Sequence, residues 1–355
     1  MSVDLKILKI AILSEVYAPS RGGVETVTAL LAEEFSHLGH IVTILTSTQS
    51  ETSMDNGECS AFKVVRKPKC SEKFRVLLSS DLVIAQAGFP IRMGYPLALI
   101  RKPILIVRQI SKPERERYFR KLARDYFESR GKVCFISRFM AEQEPEKSPD
   151  LIANPFDDDV FNETDCPEIR RDIIFVTGHF GEAKGYRVFL QALGYLKAWN
   201  VQFTSTVIGG RDLPSARLLA QNMDLAQEIS FIGPLSNVEV SEELKSHRLL
   251  VVPSLWEEPF GIIAVEGIAC GCEVFVSNRG GLPEAVGGCG RTFDVENPEV
   301  LAGMIRGFLE AGPEGHLEQR KAEREMHLRR FRKREVARSY LRLGVALINR
   351  KVREL

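Results

Sequence analysis

The strongest constraint on the fold is an alternation of short apolar runs with helical stretches, played through twice along the chain. Residues 5–14 (LKILKIAILS) form a β-branched apolar run. A Gly-containing loop follows, then VETVTALLAEEFSHLGH, whose apolar positions recur at helical spacing, then the buried run IVTILTS. The chain thus opens as a βαβ unit. Further runs at 64–67 (VVRK), 81–86 (DLVIAQ), 103–109 (PILIVRQ) and 132–137 (KVCFIS) alternate with polar or helical segments. The pattern breaks over 154–171, where Pro155, three aspartates at 157–159, Asn162 and Pro167 intervene. It then restarts: DIIFVTG, a helix from Lys184, VQFTSTVIG, a helix after Pro214, EISFIG, a short helix, LLVVPS, a helix after Phe260, and CEVFVS. Apolar strands alternating with helices predict the α/β class, with parallel sheets covered by helices on both faces. The reading is therefore two Rossmann-like doubly wound domains: 1–154, a linker at 155–171, and 172–330. A C-terminal helix at 331–355 is expected to pack back on the N-terminal domain. Two such domains generally bind ligands in the crevice outside the carboxyl ends of their strands.

Composition agrees and removes some function classes. A chain of 355 residues exceeds what one hydrophobic core usually serves. Lys plus Arg number 48 against 47 Asp plus Glu, so bulk charge gives no support for a nucleic-acid partner. No apolar run is long enough to cross a bilayer, and Asp4, Lys6 and Lys9 punctuate the opening residues as in a strand rather than a signal peptide. A cytoplasmic protein is expected, with a place at the inner face of the membrane left open. The seven cysteines show no paired C-x-x-C pattern, so they read as reduced and mostly buried, Cys270 and Cys272 included.

The most informative stretch is 251–286, VVPSLWEEPFGIIAVEGIACGCEVFVSNRGGLPEAV. It reads as a strand, a loop and a helix entered around Phe260 and Gly261. Glu266 lies eight positions after Glu258, about 12 Å if the whole interval is helical. Two carboxylates so spaced can accept from hydroxyls at two ends of one elongated ligand. Between them the backbone N–H groups of Phe260, Gly261 and Ile262 point out of a helix N-terminus, a favourable place for phosphate oxygens or sugar hydroxyls. The competing reading makes both glutamates solvated charges on an amphipathic helix.

With VPS before it and ACG and GGLPE after it, EPFGIIAVE resembles the hallmark E-P-F-G-x-x-x-x-E of retaining glycosyltransferase family 4. The resemblance implies a GT-B fold of two facing Rossmann-like domains with an interdomain cleft. It implies retaining transfer of a hexose from a nucleotide diphosphate sugar to an acceptor hydroxyl, with no cofactor and no metal. Glu258 would hold the donor-sugar hydroxyls, Phe260, Gly261 and Ile262 would supply N–H groups, and Glu266 would bind the ribose. UDP is the favoured nucleotide, as the commonest carrier in such families, and GDP stays open. Residues 176–193 (VTGHFGEAKGYRVFLQAL) are similar to the family's G-R-x-x-x-x-K-G, which implies that Lys184, at the start of a helix, faces the diphosphate. His179 stands where the family has Arg. FIGPLS (231–236) resembles the strand and loop that cradle the base, with Ile232 and Leu235 as candidates. EVYAPSRGG (15–23) resembles P-x-x-G-G-x-E, which places Gly22 and Gly23 against a phosphate. Where the family carries a His after a first-domain strand, this chain has Gln109, which can still hydrogen-bond a sugar hydroxyl, and the two histidines of an earlier family H-x-H are Ile84 and Gln86 here.

Two signals compete. The aspartates at 157–159 spell a D-x-D, but they fall where the family has N-G-V-D-x-x-x-F, and a capped turn is expected there. Helix 113–130 interleaves Arg and Lys with Tyr118, Phe119, Tyr126 and Phe127. Either this face rests on anionic lipid and reaches a lipid-linked acceptor, or the aromatic side chains are core and the basic ones solvated. Expected partners are a nucleotide-sugar donor and a sugar or lipid-linked acceptor, in polysaccharide, glycolipid or glycoconjugate synthesis. The alternative, motivated by His179 and Gln109, is a catalytically degenerate nucleotide-sugar-binding or regulatory protein on the same fold.

Overall fold

The computed structural model describes residues 7–20, 22–49, 61–88, 90–110, 118–146, 150–178, 181–210, 213–311 and 317–353. The chain divides into two units, one of residues 1–155 with 333–355 and one of residues 156–332.

The first unit carries seven parallel strands: β1 (Lys9–Ser14), β2 (Ile41–Thr46), β3 (Lys63–Arg66), β4 (Leu82–Ala85), β5 (Ile104–Arg108), β6 (Lys132–Phe135) and β7 (Asp150–Leu151). Their order across the sheet is β3-β2-β1-β4-β5-β6-β7, so the winding reverses at β1, as a doubly wound sheet requires. Ile10, Ala11, Ile12 and Leu13 pair with β2 on one side and β4 on the other, and all are at most 1% exposed. Burial on both faces is why these strands read as continuous apolar runs rather than alternating ones. The helix Gly23–His37 buries Val27, Leu31 and Phe35, and Phe35 meets Tyr340 of the C-terminal helix Lys333–Arg353 edge to face. Gly344 lets that helix sit close on β4, where a Cβ would stand 2.4 Å from Leu82 Cδ2.

The second unit has six parallel strands: β8 (Arg171–Val176), β9 (Ser205–Ile208), β10 (Ile229–Ile232), β11 (His247–Val252), β12 (Glu273–Ser277) and β13 (Arg291–Phe293). Their order is β10-β9-β8-β11-β12-β13, again reversing at the first strand of the unit. One face of this sheet is closed by the helix Tyr186–Ala198, whose Phe189 stacks on Phe175, and by the helix Pro298–Glu310. Residues 156–171, expected as linker, are built into this unit. Phe156 and Phe161 are each 2% exposed, and Phe156 N–H donates to the Phe331 carbonyl at 3.1 Å. The short strands β7 and β13 went unread in the sequence because two or three residues carry no period. Among the described residues no helix is long and apolar enough to cross a membrane.

Candidate functional site

Because every strand of the second sheet is parallel, the loops that follow β8, β10, β11 and β12 all leave from one edge. Lys184, Leu235, Glu258, and the pair Gly280 and Gly281 lie on those four loops, and Ile232 is the last residue of β10 before one of them.

Lys184 does not open a helix directly. It ends a single 3₁₀ turn, Glu182–Lys184, and Gly185 caps the helix Tyr186–Ala198 from a left-handed conformation at φ +73°. A Cβ on Gly185 would stand 1.7 Å from the Pro253 carbonyl oxygen, so only glycine lets this turn press on the loop after β11. The Ala183 carbonyl completes the junction by accepting from Leu255 N–H at 2.9 Å and Trp256 N–H at 3.1 Å.

That junction brings Lys184 Nζ to 2.5 Å from Glu258 Oε1. The same oxygen lies 3.0 Å from Ser254 Oγ, which is buried, and Ser277 Oγ donates to the Ser254 carbonyl at 2.7 Å. The ammonium also sits 5.0 Å from the centre of the Trp256 ring, which is half exposed. The pair has 28% of the lysine and 13% of the glutamate side chain exposed, so it is open to a ligand yet partly shielded from water. Ser254, Ser277 and Trp256 were missed by the sequence reading. The run PSLWEE placed them beside Glu258, but nothing in it said which of them would turn toward the carboxylate.

The loop then enters the helix Ile262–Ala269 through Gly261 at φ +99°. Only four of the eight steps from Glu258 to Glu266 are therefore helical, and the 12 Å expectation falls to about 6 Å of helical rise. Gly261 and Ile262 present the opening N–H groups of the helix, which have no carbonyl one turn back to bond. The Phe260 side chain is turned inward, 3% exposed and packed edge to face on Phe331. The side chain is therefore not available to a ligand. Gly280 and Gly281 hold this loop from the far side. A Cβ on Gly280 would lie 2.3 Å from the Glu258 carbonyl oxygen, and Gly281 N–H donates to that oxygen at 2.6 Å.

Glu266 is not a solvated surface charge, for only 8% of it is exposed. Burial, with the nearby Asp157 adding to it, pushes its carboxyl up to about 8, so the acid holds its proton at neutral pH. No side chain among the described residues hydrogen-bonds it. A buried acid without a protein partner is unfavourable unless a ligand supplies one.

Ile232 ends β10, half buried, with its carbonyl accepting from Gly209 N–H at 3.2 Å, and Leu235 lies half buried just before the capping serine Ser236. His179 lies outside the described residues. In the first unit, Gly22 caps and Gly23 opens the helix Gly23–His37; both are exposed, and the space over Gly23 is open. Neither has positive φ, so it is open approach rather than backbone strain that glycine provides there. Gln109 is buried just beyond β5, its amide nitrogen 3.3 Å from Asn154 Oδ1 and its amide oxygen without a partner among the described residues. Gln86, just beyond the adjacent β4, is buried with both amide atoms unpartnered in the same sense. Asp157 accepts from Val160 and Phe161 N–H in a tight turn. Among the described residues no group of three or more His, Cys, Asp and Glu side chains is placed to hold a metal ion.

Comparison with known proteins bears on this arrangement. Residues 162–326 match the family described as "Glycosyl transferases group 1", a stretch that contains Lys184, Glu258 and Glu266. The chain is 31% identical over 127 residues to a D-inositol 3-phosphate glycosyltransferase of Corynebacterium jeikeium, covering 34% of this chain and 30% of that protein. It is 28% identical over 146 residues to a phosphatidyl-myo-inositol mannosyltransferase of Mycolicibacterium smegmatis, covering 41% and 37% respectively. The chain thus spans about a third of the length of these curated relatives. A glycosyltransferase from Rickettsia africae superposes with a TM-score of 0.80 at 19% identity, covering 96% of this chain and 99% of that one. Anabaena HepE, solved with UDP-glucose, gives a TM-score of 0.71 at 16% identity over 98% and 100%. The fold is GT-B, as the alternation of strands and helices and the resemblance led us to expect.

Proposed function

We propose that this chain is a glycosyltransferase of retaining family 4 type, moving a hexose from a nucleotide diphosphate sugar to an acceptor hydroxyl. The observation that carries the reading is the Lys184–Glu258 pair beside the N-terminus of the helix Ile262–Ala269. A cation and free amides suit a leaving diphosphate, while a carboxylate suits the hydroxyls of a hexose. Glu266, buried and with no side-chain hydrogen-bond partner among the described residues, is assigned to the ribose. On this reading the residues act by orientation and charge stabilisation, Lys184 offsetting the negative charge that grows on the leaving phosphate. No nucleophilic side chain and no metal are invoked. UDP is favoured as the nucleotide, since relatives of this fold include a protein solved with UDP-glucose. The acceptor is taken to be a sugar or a lipid-linked sugar, in polysaccharide or glycolipid synthesis.

The test is a calorimetric screen of UDP-, GDP- and ADP-sugars with and without chelator, followed by NMR assignment of the product anomer. Tight binding of one UDP-sugar, unaffected by chelator and followed by formation of a product with the donor's anomeric configuration, is expected. An inverted product or a chelator-sensitive rate would overturn the mechanism. Binding without turnover on any acceptor would favour the degenerate, regulatory reading instead.

A further inference from the structure

The helix Tyr118–Arg130 of the first unit is amphipathic in the unexpected sense. Tyr118, Phe119, Leu122 and Tyr126 fall within an arc of about 100° on its surface. They are 69%, 82%, 48% and 43% exposed. Of the aromatic residues noted in the sequence only Phe127 is core, at 4% exposed. The face turned toward the sheet is instead charged. Arg108 of β5 reaches Glu128 of this helix and lies 2.9 Å from Glu144, while Arg124 lies 3.5 Å from Glu128. Apart from Tyr126, which meets the Phe127 ring edge to face, this apolar stripe points outward while ion pairs point inward.

The stripe continues beyond the helix. Tyr126 Oη donates to the Ala98 carbonyl at 3.3 Å and Arg130 does so at 3.1 Å, which sets the helix beside Leu99, 81% exposed. Cations rim it: Lys121 on the helix, Arg101 two residues beyond Leu99, and Arg130, whose guanidinium lies 5.2 Å from the Tyr126 ring centre. The acidic side chain facing the same way on the helix, Asp125, is engaged by Arg124 at 3.0 Å.

We propose that this face is a docking surface for an anionic lipid bilayer. Phe119, Leu122 and Leu99 are fitted to enter the acyl boundary, Tyr118 and Tyr126 to lie at the level of the headgroups, and the rim cations to meet lipid phosphates. Four outward apolar side chains on some three turns give weak binding alone, so the electrostatic component is required. The inference stands apart from the reading of the transfer site, and it is tested without donor or acceptor.

The full chain is co-sedimented with vesicles of pure phosphatidylcholine and with vesicles holding about 30% phosphatidylglycerol. Binding to the second and not the first is expected. The double variant Lys121→Glu with Arg101→Glu should lower it about tenfold, and so should Phe119→Glu with Leu122→Glu. These side chains are exposed, so both variants should keep the thermal unfolding of the parent. A Phe119→Trp variant should blue-shift its emission on the anionic vesicles. Equal binding to both vesicle types, no binding to either, or an unshifted Phe119→Trp spectrum would overturn the proposal. So would a dimer in analytical ultracentrifugation that Phe119→Glu with Leu122→Glu dissociates, since the stripe would then be a contact between copies of this chain.

Discussion

Lys184 Nζ and Glu258 Oε1 stand 2.5 Å apart, so the cation and the carboxylate assigned to different parts of the donor neutralise one another in the free protein. A diphosphate must therefore draw the ammonium from Glu258 before both can serve the ligand. Glu258→Gln should raise affinity for UDP severalfold, because Lys184 is released, while transfer falls by about a hundredfold or more. Lys184→Gln should weaken UDP binding roughly ten- to a hundredfold, the range of a charge-assisted hydrogen bond. Calorimetry on both variants decides it. Unchanged UDP affinity in Glu258→Gln would mean that the pair does not compete with the diphosphate.

Glu266 gives a pH signature. Its carboxyl is raised to about 8 by burial, so in the free protein it is protonated below that value. If Glu266 takes the ribose as proposed, hydroxyls donating to it favour the ionised form, which lowers its pKa in the complex. Nucleotide binding at pH 7 should then release a proton, and affinity should rise with pH and level off above 8. Calorimetry in buffers of different ionisation enthalpy measures the release, and Glu266→Gln should abolish it. Stability carries the opposite sign. A raised carboxyl favours the fold fully below its unfolded value, near 4.5, and loses that contribution as pH rises through 8. Glu266→Gln should therefore melt higher than the parent by a margin that grows from pH 5 to pH 8.

The fold was legible because burial on both faces leaves β-branched runs in strands such as β1 and β4, and because Pro and Gly punctuate the loops between. Glu258 and Lys184 were legible as candidates from residue type and spacing. Their mutual contact was not, since it depends on Gly185 fitting under the Pro253 carbonyl, a relation between residues 68 positions apart. Nor did sequence alone separate a buried Glu266 from a solvated one: the glutamate lies on a helix that is buried on nearly every side, where periodicity carries no orientation. For the helix Tyr118–Arg130 the periodicity was visible, but its orientation was set by Arg108, on another strand, recruiting Glu128 inward.

Gly185 should tolerate no side chain. At φ +73° an added Cβ meets the Pro253 carbonyl oxygen at 1.7 Å, and backbone cannot move aside as a flexible side chain can. Gly185→Ala should cost on the order of 3 kcal/mol, from left-handed strain together with the clash. For a unit of this size that corresponds to a melting point lower by roughly 6–12 °C. Scanning calorimetry, with UDP titration of the surviving folded protein, checks both the loss and the expected weakening at Lys184. A melting point within a degree of the parent would show that the junction is not as tight as drawn.

His247 should set the acid limit of the second unit. Its Nδ1 lies 2.6 Å from the Glu243 carbonyl oxygen, which can only accept, so Nδ1 carries the proton. Nε2, 2.8 Å from Thr206 Oγ1, then accepts from that hydroxyl in the neutral ring. A second proton would place a charge where the side chain has no exposure, and burial accordingly lowers the imidazole to about 4. With the native value below the unfolded one near 6.5, the neutral ring's contribution is complete above pH 6.5 and is lost as pH falls toward 4. Between pH 6.5 and 4.5 this amounts to about 2 kcal/mol. Urea unfolding of the parent and of His247→Gln across that range should show the variant less stable at pH 7 and the gap narrowing by about that amount at pH 4.5. A gap independent of pH would mean that the imidazole is protonated in the folded protein as readily as in the unfolded chain.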